Sequence, residues 1–143
     1  MHNMPTVPPS ENHIALFNDS LERCCQRRRR FLDRFYSLFI GASDEVRQKF
    51  AHTSMARQKQ MLATSLYQMT SAIGGTGHAL AALEGIAQIH SKKRHDIRPE
   101  LYDLWLECLL QAVRDFDPQC SAETERAWRA VMGYGIEFLK QRY

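Results

Sequence analysis

One apolar stripe limits what this chain can fold into more than any other feature of its sequence. Between Pro99 and Phe116, eight apolar residues follow the i, i+3, i+4 pattern of one helical face: Leu101, Leu104, Trp105, Cys108, Leu109, Ala112, Val113 and Phe116. A stripe this continuous has to be buried against two or more neighbouring helices. The sequence therefore predicts a helix that begins at Pro99, ends before Asp117-Pro118 and packs on several others.

The other segments carry the same helical period, and none shows a convincing strand alternation. We predict further helices at about 10–28, 29–40, 44–50, 54–73 and from about 78 through His90, and a last one from Ser121 to the C-terminus. Seven helices follow, of which the third is very short. The first nine residues contain three prolines and are expected to form a disordered lead-in, so one all-α domain is predicted over residues 10–143.

Net charge and short motifs do not indicate nucleic-acid or phosphate binding. Nineteen Lys and Arg against 16 Asp and Glu give a net charge of +3, which does not by itself indicate a nucleic-acid partner. The run Arg27–Arg30 lacks interleaved aromatic or glycine residues, and we expect it to be a solvated helix junction. The GGTG stretch at 74–77 follows a helix and lacks a GKS or GKT ending, so a loop is expected there and not a phosphate site.

The sequence predicts a protein of a reducing compartment that does not enter a membrane. It has no run of 18 or more apolar residues and no apolar signal segment at its start, so we expect no membrane span and a cytoplasmic location. The four cysteines show no CxxC spacing, which argues against a zinc or redox motif. We interpret all four as structural or incidental.

His90 is the candidate metal ligand. Leu83, Ile86, Ala87 and His90 fall at i, i+3, i+4 and i+7, so the apolar face of the fifth predicted helix ends in an imidazole. Such a histidine is more often a core or boundary residue than a ligand. His95 is the rival, but it lies in a charged stretch before Pro99 and belongs to no apolar stripe.

The order and spacing of particular residues resemble those of the globins, in particular bacterial single-domain globins similar to the haem domain of flavohaemoglobins. The resemblance rests on FYSLF with Tyr36, on Phe50, on RQKQML with Gln58 and Leu62, on AQIH with His90, and on IRPELY ending at Tyr102. The steps from Tyr36 to Phe50 (fourteen), from Gln58 to Leu62 (four) and from Gln58 to His90 (thirty-two) match that pattern. The match covers nearly all of the chain after residue 10.

The resemblance implies a globin fold, a three-over-three helical sandwich around haem b, and a role for each matching residue. His90 corresponds to the proximal ligand of the iron, since an imidazole is the usual axial side chain of a globin haem. Phe50 corresponds to the aromatic that wedges the porphyrin, and Tyr36 and Gln58 to the distal pair that donates hydrogen bonds to a bound ligand. Leu62 would form an apolar wall on the distal side. The proximal side is expected to be lined by Ile97, Leu101, Tyr102 and Trp105.

Two departures from the flavohaemoglobin pattern bear on function. The step from His90 to Tyr102 is twelve, two longer than in that pattern, so an enlarged corner is expected. The glutamate of the family's proximal hydrogen-bond network falls on Tyr143, while Glu137 is out of register. No flavin or nicotinamide reductase part is present in this sequence.

Reversible binding of oxygen, NO or CO at the haem iron is therefore the first expectation. One alternative is an NO dioxygenase that receives electrons from a separate reductase. The other is a haem-free signalling or interaction module with a globin fold. His52, two residues after Phe50, is expected to face solvent at a corner and not to reach the iron.

Overall fold

The computed structural model describes residues 8–73 and 99–141, and these residues form six α-helices without a strand. The helices are α1 (Glu11–Cys24), α2 (Arg28–Ala42), α3 (Asp44–Lys49), α4 (Met55–Ile73), α5 (Pro99–Phe116) and α6 (Ala122–Gln141), with a 3-10 turn at Cys25–Arg27 between the first two. The all-α prediction is confirmed. The predicted fifth helix with His90, the GGTG stretch, His95 and Ile97 lie outside the described residues, as does most of the lead-in at 1–9.

Serine hydroxyls fix where several of the helices begin. Ser10 accepts a hydrogen bond from the backbone N–H of His13, and Ser43 accepts one from Val46. Ser121 does the same for Thr124 at the start of α6. A serine at the N-cap satisfies one of the N–H groups that a helix leaves unpaired in its first turn. These caps place the helix starts close to where the sequence predicts them.

The first predicted helix is shorter than expected. It ends at Cys24, and the backbone of Arg27 leaves the helical region (φ −126°, ψ 57°) before α2 begins at Arg28. The sequence has no glycine or proline at this break, so nothing in the local pattern marks it. The side chains of Arg27–Arg30 are all exposed, as expected for a solvated junction.

The core lies where α2 packs on α5 and α1 packs on α6. Its largest fully buried side chains come from all six described helices and include Phe17, Phe31, Phe35, Leu109 and Trp128. The predicted stripe of α5 is buried along most of its length. None of the described helices is long and apolar enough to cross a membrane.

Candidate functional site

Tyr36 lies on the buried side of α2, facing the start of α4. Its side chain is 6% exposed, and its hydroxyl donates a hydrogen bond to the main-chain carbonyl of Gln58 over 3.2 Å. Gln58 is in the first turn of α4, where Ser54 accepts a hydrogen bond from the backbone N–H of Arg57 and so fixes the beginning of the helix. The two predicted distal residues are therefore brought together, through a main-chain oxygen.

An aromatic cluster surrounds the Tyr36 ring. Phe50 stands edge-on to Tyr36, with ring centroids 5.8 Å apart and planes at 86°, and it contacts Phe39 at 6.2 Å. Phe35 also contacts the Tyr36 ring, with centroids 4.8 Å apart, and contacts Trp105 of α5 at 5.8 Å. Such edge-on contacts fix ring orientation as well as contributing to packing. Phe50 and Trp105, both predicted pocket residues, are thus linked through the rings of α2.

The remaining predicted pocket residues that the structure describes belong to the same core. Leu62 follows Gln58 by one turn of α4 and is buried, and Leu101 and Tyr102 are buried in the first turn of α5. Phe50 and Trp105 are partly buried and pack against this cluster. Leu62, Leu101 and Tyr102 thus belong to one hydrophobic core.

Burial raises the pKa of two tyrosines that the sequence predicts at the site. It raises the pKa of the Tyr102 phenol to about 12, and it raises the pKa of Tyr36 further still. A phenol that stays protonated at neutral pH remains a hydrogen-bond donor. At the predicted distal side, Tyr36 therefore offers a hydroxyl group and no charge.

The described residues fit a flat, mainly apolar group better than a free metal ion. The side chains gathered at α2, α4 and α5 are mostly rings and aliphatic groups, and the buried residues among them include two tyrosines, Tyr36 and Tyr102. Nowhere in residues 8–73 and 99–141 do three or more His, Cys, Asp or Glu side chains form a possible metal site. A porphyrin iron needs only one axial side chain from the protein, and the candidate His90 lies outside the described residues. This chemistry fits a haem.

The other titratable side chains that the sequence singled out include an exposed histidine and three cysteines whose pKa is raised, mainly by burial. His52 is exposed, as expected for a corner residue. Burial is the main cause that raises the pKa of Cys24, to about 12, and it also raises the pKa of Cys108 and Cys120. A thiol with a raised pKa is a poor nucleophile at neutral pH, which supports a structural role for these cysteines.

Sequence reasoning missed one part of the site. The partner of the Tyr36 hydroxyl is a main-chain carbonyl, which carries no side-chain signal, so only the three-dimensional approach of α2 to α4 reveals it. The contribution of Phe39 to the packing of Phe50 was easier to predict from the sequence, because Phe31, Phe35 and Phe39 share one face of the predicted helix.

The all-α fold brings Tyr36, Phe50 and Trp105 of the predicted site into one aromatic cluster, and comparisons with known proteins identify the family. A family model described as Globin matches residues 33–137, and the chain belongs to the globin family. A solved structure of Pseudomonas aeruginosa PAO1 protein PA3967, described as structurally highly homologous to a human haemoglobin, is 41% identical. It covers 92% of this chain and 98% of its own, with a TM-score of 0.86. No curated protein matches.

The predicted globin fold is therefore confirmed, and the predicted likeness to a bacterial single-domain globin agrees with the match to PA3967. Family membership supports a haem-binding role for the chain. The assignment of individual residues to the haem, the iron and a gaseous ligand stays a prediction.

Proposed function

We propose that this protein is a haem b globin that reversibly binds a diatomic gas, with oxygen as its first ligand. In this proposal His90 holds the iron, and Phe50, Leu62, Ile97, Leu101, Tyr102 and Trp105 line the haem, while Tyr36 and Gln58 face the ligand. The observation that carries the proposal is the buried, neutral Tyr36 hydroxyl beside the first turn of α4, in an aromatic wall with Phe50.

The haem supplies an iron centre to which a diatomic gas can bind, and the chain sets the surroundings. The rings of Phe35 and Phe50 both contact the Tyr36 ring edge-on, so the hydroxyl is held in position before any ligand arrives. Leu62 and the aromatic side chains exclude water, which strengthens a hydrogen bond to a ligand that carries partial negative charge. A neutral donor in a dry pocket therefore favours oxygen over carbon monoxide, which carries little charge.

Deleting the hydroxyl tests this role. A hydrogen bond from Tyr36 to a charged acceptor stabilises the bound ligand by about 1.5–3 kcal/mol. When the ligand leaves, the hydroxyl regains a neutral hydrogen bond to the Gln58 carbonyl, which contributes about 0.5–1.5 kcal/mol. The net gain for bound oxygen is then about 1.4 kcal/mol, or roughly tenfold in affinity. We expect Tyr36→Phe to release oxygen roughly tenfold faster, with carbon monoxide release nearly unchanged.

Stopped-flow oxygen and carbon monoxide dissociation from the haem-loaded protein measures this ratio. Tyr67→Phe is the matched control, because it removes a hydroxyl from a side chain that is 52% exposed on α4. Equal acceleration of both gases by Tyr36→Phe would show that the hydroxyl does not face the ligand. Sustained NO consumption on addition of a reductase would instead identify the protein as an NO dioxygenase.

A further inference from the structure

The outer face of α4 differs from the outer faces of α5 and α6 in carrying almost no charge. From Gln60 to Ile73 the helix contains no Asp, Glu, Lys or Arg. The exposed sides of α5 and α6, by contrast, are joined by ion pairs such as Arg129–Glu107. Charged residues are depleted at the centres of protein interfaces. The outer face of α4 therefore has the composition of a contact surface.

Six exposed residues of α4 form one stripe along this face. They stand three, four or seven residues from Thr64, steps that keep side chains within about 60° of one line along an α-helix. Met61 and Tyr67 are 48% and 52% exposed, and they are the large hydrophobic side chains left exposed in the part of the chain that the structure describes. Met and Tyr are both enriched at protein interfaces. The exposed stripe consists of Arg57, Gln60, Met61, Thr64, Tyr67 and Gln68.

The exposed stripe is symmetric about Thr64, because Met61 and Tyr67 lie three residues to either side and two glutamines lie four residues to either side. A two-fold axis through Thr64 places Met61 of one copy on Tyr67 of an antiparallel second copy, and each glutamine on a glutamine. A thioether against an aromatic ring is a favourable contact, and an amide both donates and accepts hydrogen bonds. The stripe is thus complementary to itself, as a two-fold interface requires.

Covering the stripe leaves its hydroxyl groups satisfied and its charges far apart. Thr64 Oγ1 donates to the Gln60 main-chain oxygen at 3.1 Å, inside its own helix. The Tyr67 hydroxyl shares a hydrogen bond with the Cys25 thiol, which raises the pKa of the phenol. Arg57 stands seven residues from Thr64, so the arginines of two copies lie about 21 Å apart at about 1.5 Å per residue. Salt screens their repulsion at that distance.

We infer that the exposed stripe of α4 is the contact surface of a homodimer, in which α4 packs antiparallel on α4 of a second copy across a two-fold axis at Thr64. A membrane surface is a poorer occupant, because interfacial helices carry several Lys and Arg beside their apolar side and this stripe has one arginine. A contact between single helices buries less area than the interface of a permanent dimer. The dimer is therefore weak and reversible. This inference goes beyond the proposed function and does not depend on haem.

Sedimentation equilibrium of the full chain tests the homodimer, and introduced charges test which surface forms it. The unmodified chain should convert from monomer to dimer between roughly 10 μM and 1 mM. Met61→Glu places a carboxylate on the Tyr67 ring of the second copy and should weaken dimerisation at least about tenfold. Adding Tyr67→Lys to Met61→Glu should restore the dimer, because each carboxylate then faces an ammonium group of the other copy.

Asn18→Glu is the matched control for these variants. It adds the same charge at an exposed position of α1 and should leave the dimer unchanged. Circular dichroism and Tm establish that each variant is folded, since the altered side chains of α4 are about half exposed.

Cysteine cross-linking tests the position of the axis. Helices packed about 10 Å apart, each with Cα atoms about 2.3 Å from its axis, bring the two residues at a two-fold axis to a Cα separation of about 5–6 Å. A disulfide spans this distance, so Thr64→Cys should form a covalent dimer on air oxidation. Arg57→Cys lies on the same face but about 21 Å from its equivalent. It should stay unlinked on a non-reducing gel, as should the unmodified chain with its four native cysteines.

Several results would overturn the homodimer. A chain that stays monomeric up to about 1 mM would show that the stripe does not bind a second copy, and a dimer that survives Met61→Glu would place the interface elsewhere. Failure of Tyr67→Lys to restore the dimer, or equal cross-linking of Thr64→Cys and Arg57→Cys, would contradict the antiparallel two-fold arrangement. These measurements follow mass and covalent linkage. Failure of the proposed function is seen separately, as a missing Soret band.

Discussion

Asp117, the residue that follows the last turn of α5, holds a buried polar network, and its removal should be among the most damaging single changes in the chain. The side chain is 3% exposed. It accepts hydrogen bonds from Arg23 Nε at 2.6 Å, from Ser20 Oγ at 2.6 Å and from the backbone N–H of Gln119 at 2.9 Å. Ser20 in turn accepts from Trp128 Nε1 at 2.8 Å. One carboxylate therefore joins α1 to the α5–α6 corner and, through Ser20, to α6.

The size of the expected stability loss follows from the groups that Asp117→Ala leaves unpaired. Asp117→Ala removes the acceptor for the Ser20 hydroxyl and for the Arg23 guanidinium, whose side chain is 25% exposed. Breaking a fully buried ion pair from one side costs about 3–5 kcal/mol, because an uncompensated charge remains. Since water reaches part of Arg23, we expect the lower end, about 3 kcal/mol in the free energy of unfolding, and a fall in Tm of roughly 10 °C.

Asp115→Ala is the matched control. Asp115 is two residues earlier on α5 and pairs with Arg34 of α2 at 2.8 Å, but both side chains are about one-third exposed or more. An exposed pair contributes roughly 0–1 kcal/mol. Urea or thermal unfolding followed by circular dichroism measures both variants. Equal losses for Asp117→Ala and Asp115→Ala would refute the inference that burial of the network sets the cost.

The pH dependence of stability provides a second test of the network around Asp117. Burial would raise the pKa of Asp117, but the hydrogen bonds from Arg23, Ser20 and the Gln119 N–H outweigh it, so the pKa lies below its ordinary value. A lowered folded-state pKa stabilises the fold above the unfolded value of about 3.9, and this stabilisation is lost as the pH falls through the folded-state pKa. Asp117→Asn should therefore flatten the acid limb of the unfolding profile, while at pH 7 it remains less stable than the unmodified protein.

Two further predictions concern helix interiors and helix ends. A Cβ at Gly133 meets nothing within 4 Å, whereas one at Gly135 would overlap the Sδ and Cε atoms of Met69; Gly133→Ala should therefore stabilise the fold by about 0.5–1 kcal/mol, and Gly135→Leu should destabilise it by about 1–3 kcal/mol. Loss of stability in both, measured by urea unfolding, would contradict the packing difference. Arg29 lies in the first turn of α2, which has no acidic residue, so Arg29→Glu should raise stability by about 0.3–1 kcal/mol, and less at high salt. A fall in Tm for Arg29→Glu at low salt would contradict this.

Sequence periodicity was sufficient to predict the helical architecture because burial acts on one face of each helix. The stripe from Leu101 to Val113 is buried along most of its length, as its spacing predicts, and Asp117-Pro118 marks the end of α5. The break at Arg27 was not predictable, because it depends on how α1 and α2 pack and not on a glycine or proline. The local sequence pattern determines that a segment is helical, whereas tertiary packing determines where a break between two helices falls.

The site could be predicted only in part, for the same reason. Ordered spacing identified Tyr36, Phe50 and Gln58, and the structure brings these three together. Sequence spacing could not show that the Tyr36 hydroxyl donates a hydrogen bond to a main-chain oxygen, because every residue has such an oxygen. Nor could it show the Ser20–Asp117 bond, whose partners are 97 residues apart and belong to no periodic pattern.

The absorption spectrum of purified protein reconstituted with haem tests the central claim most directly, when it is measured for the unmodified chain, for His90→Ala and for His95→Ala. We expect a strong Soret band and tight haem retention in the unmodified protein and in His95→Ala. In His90→Ala we expect weak or lost haem, because the axial imidazole is gone. Haem loss in His95→Ala with retention in His90→Ala would contradict the ligand assignment, and no Soret band in the unmodified protein would contradict the proposed function itself.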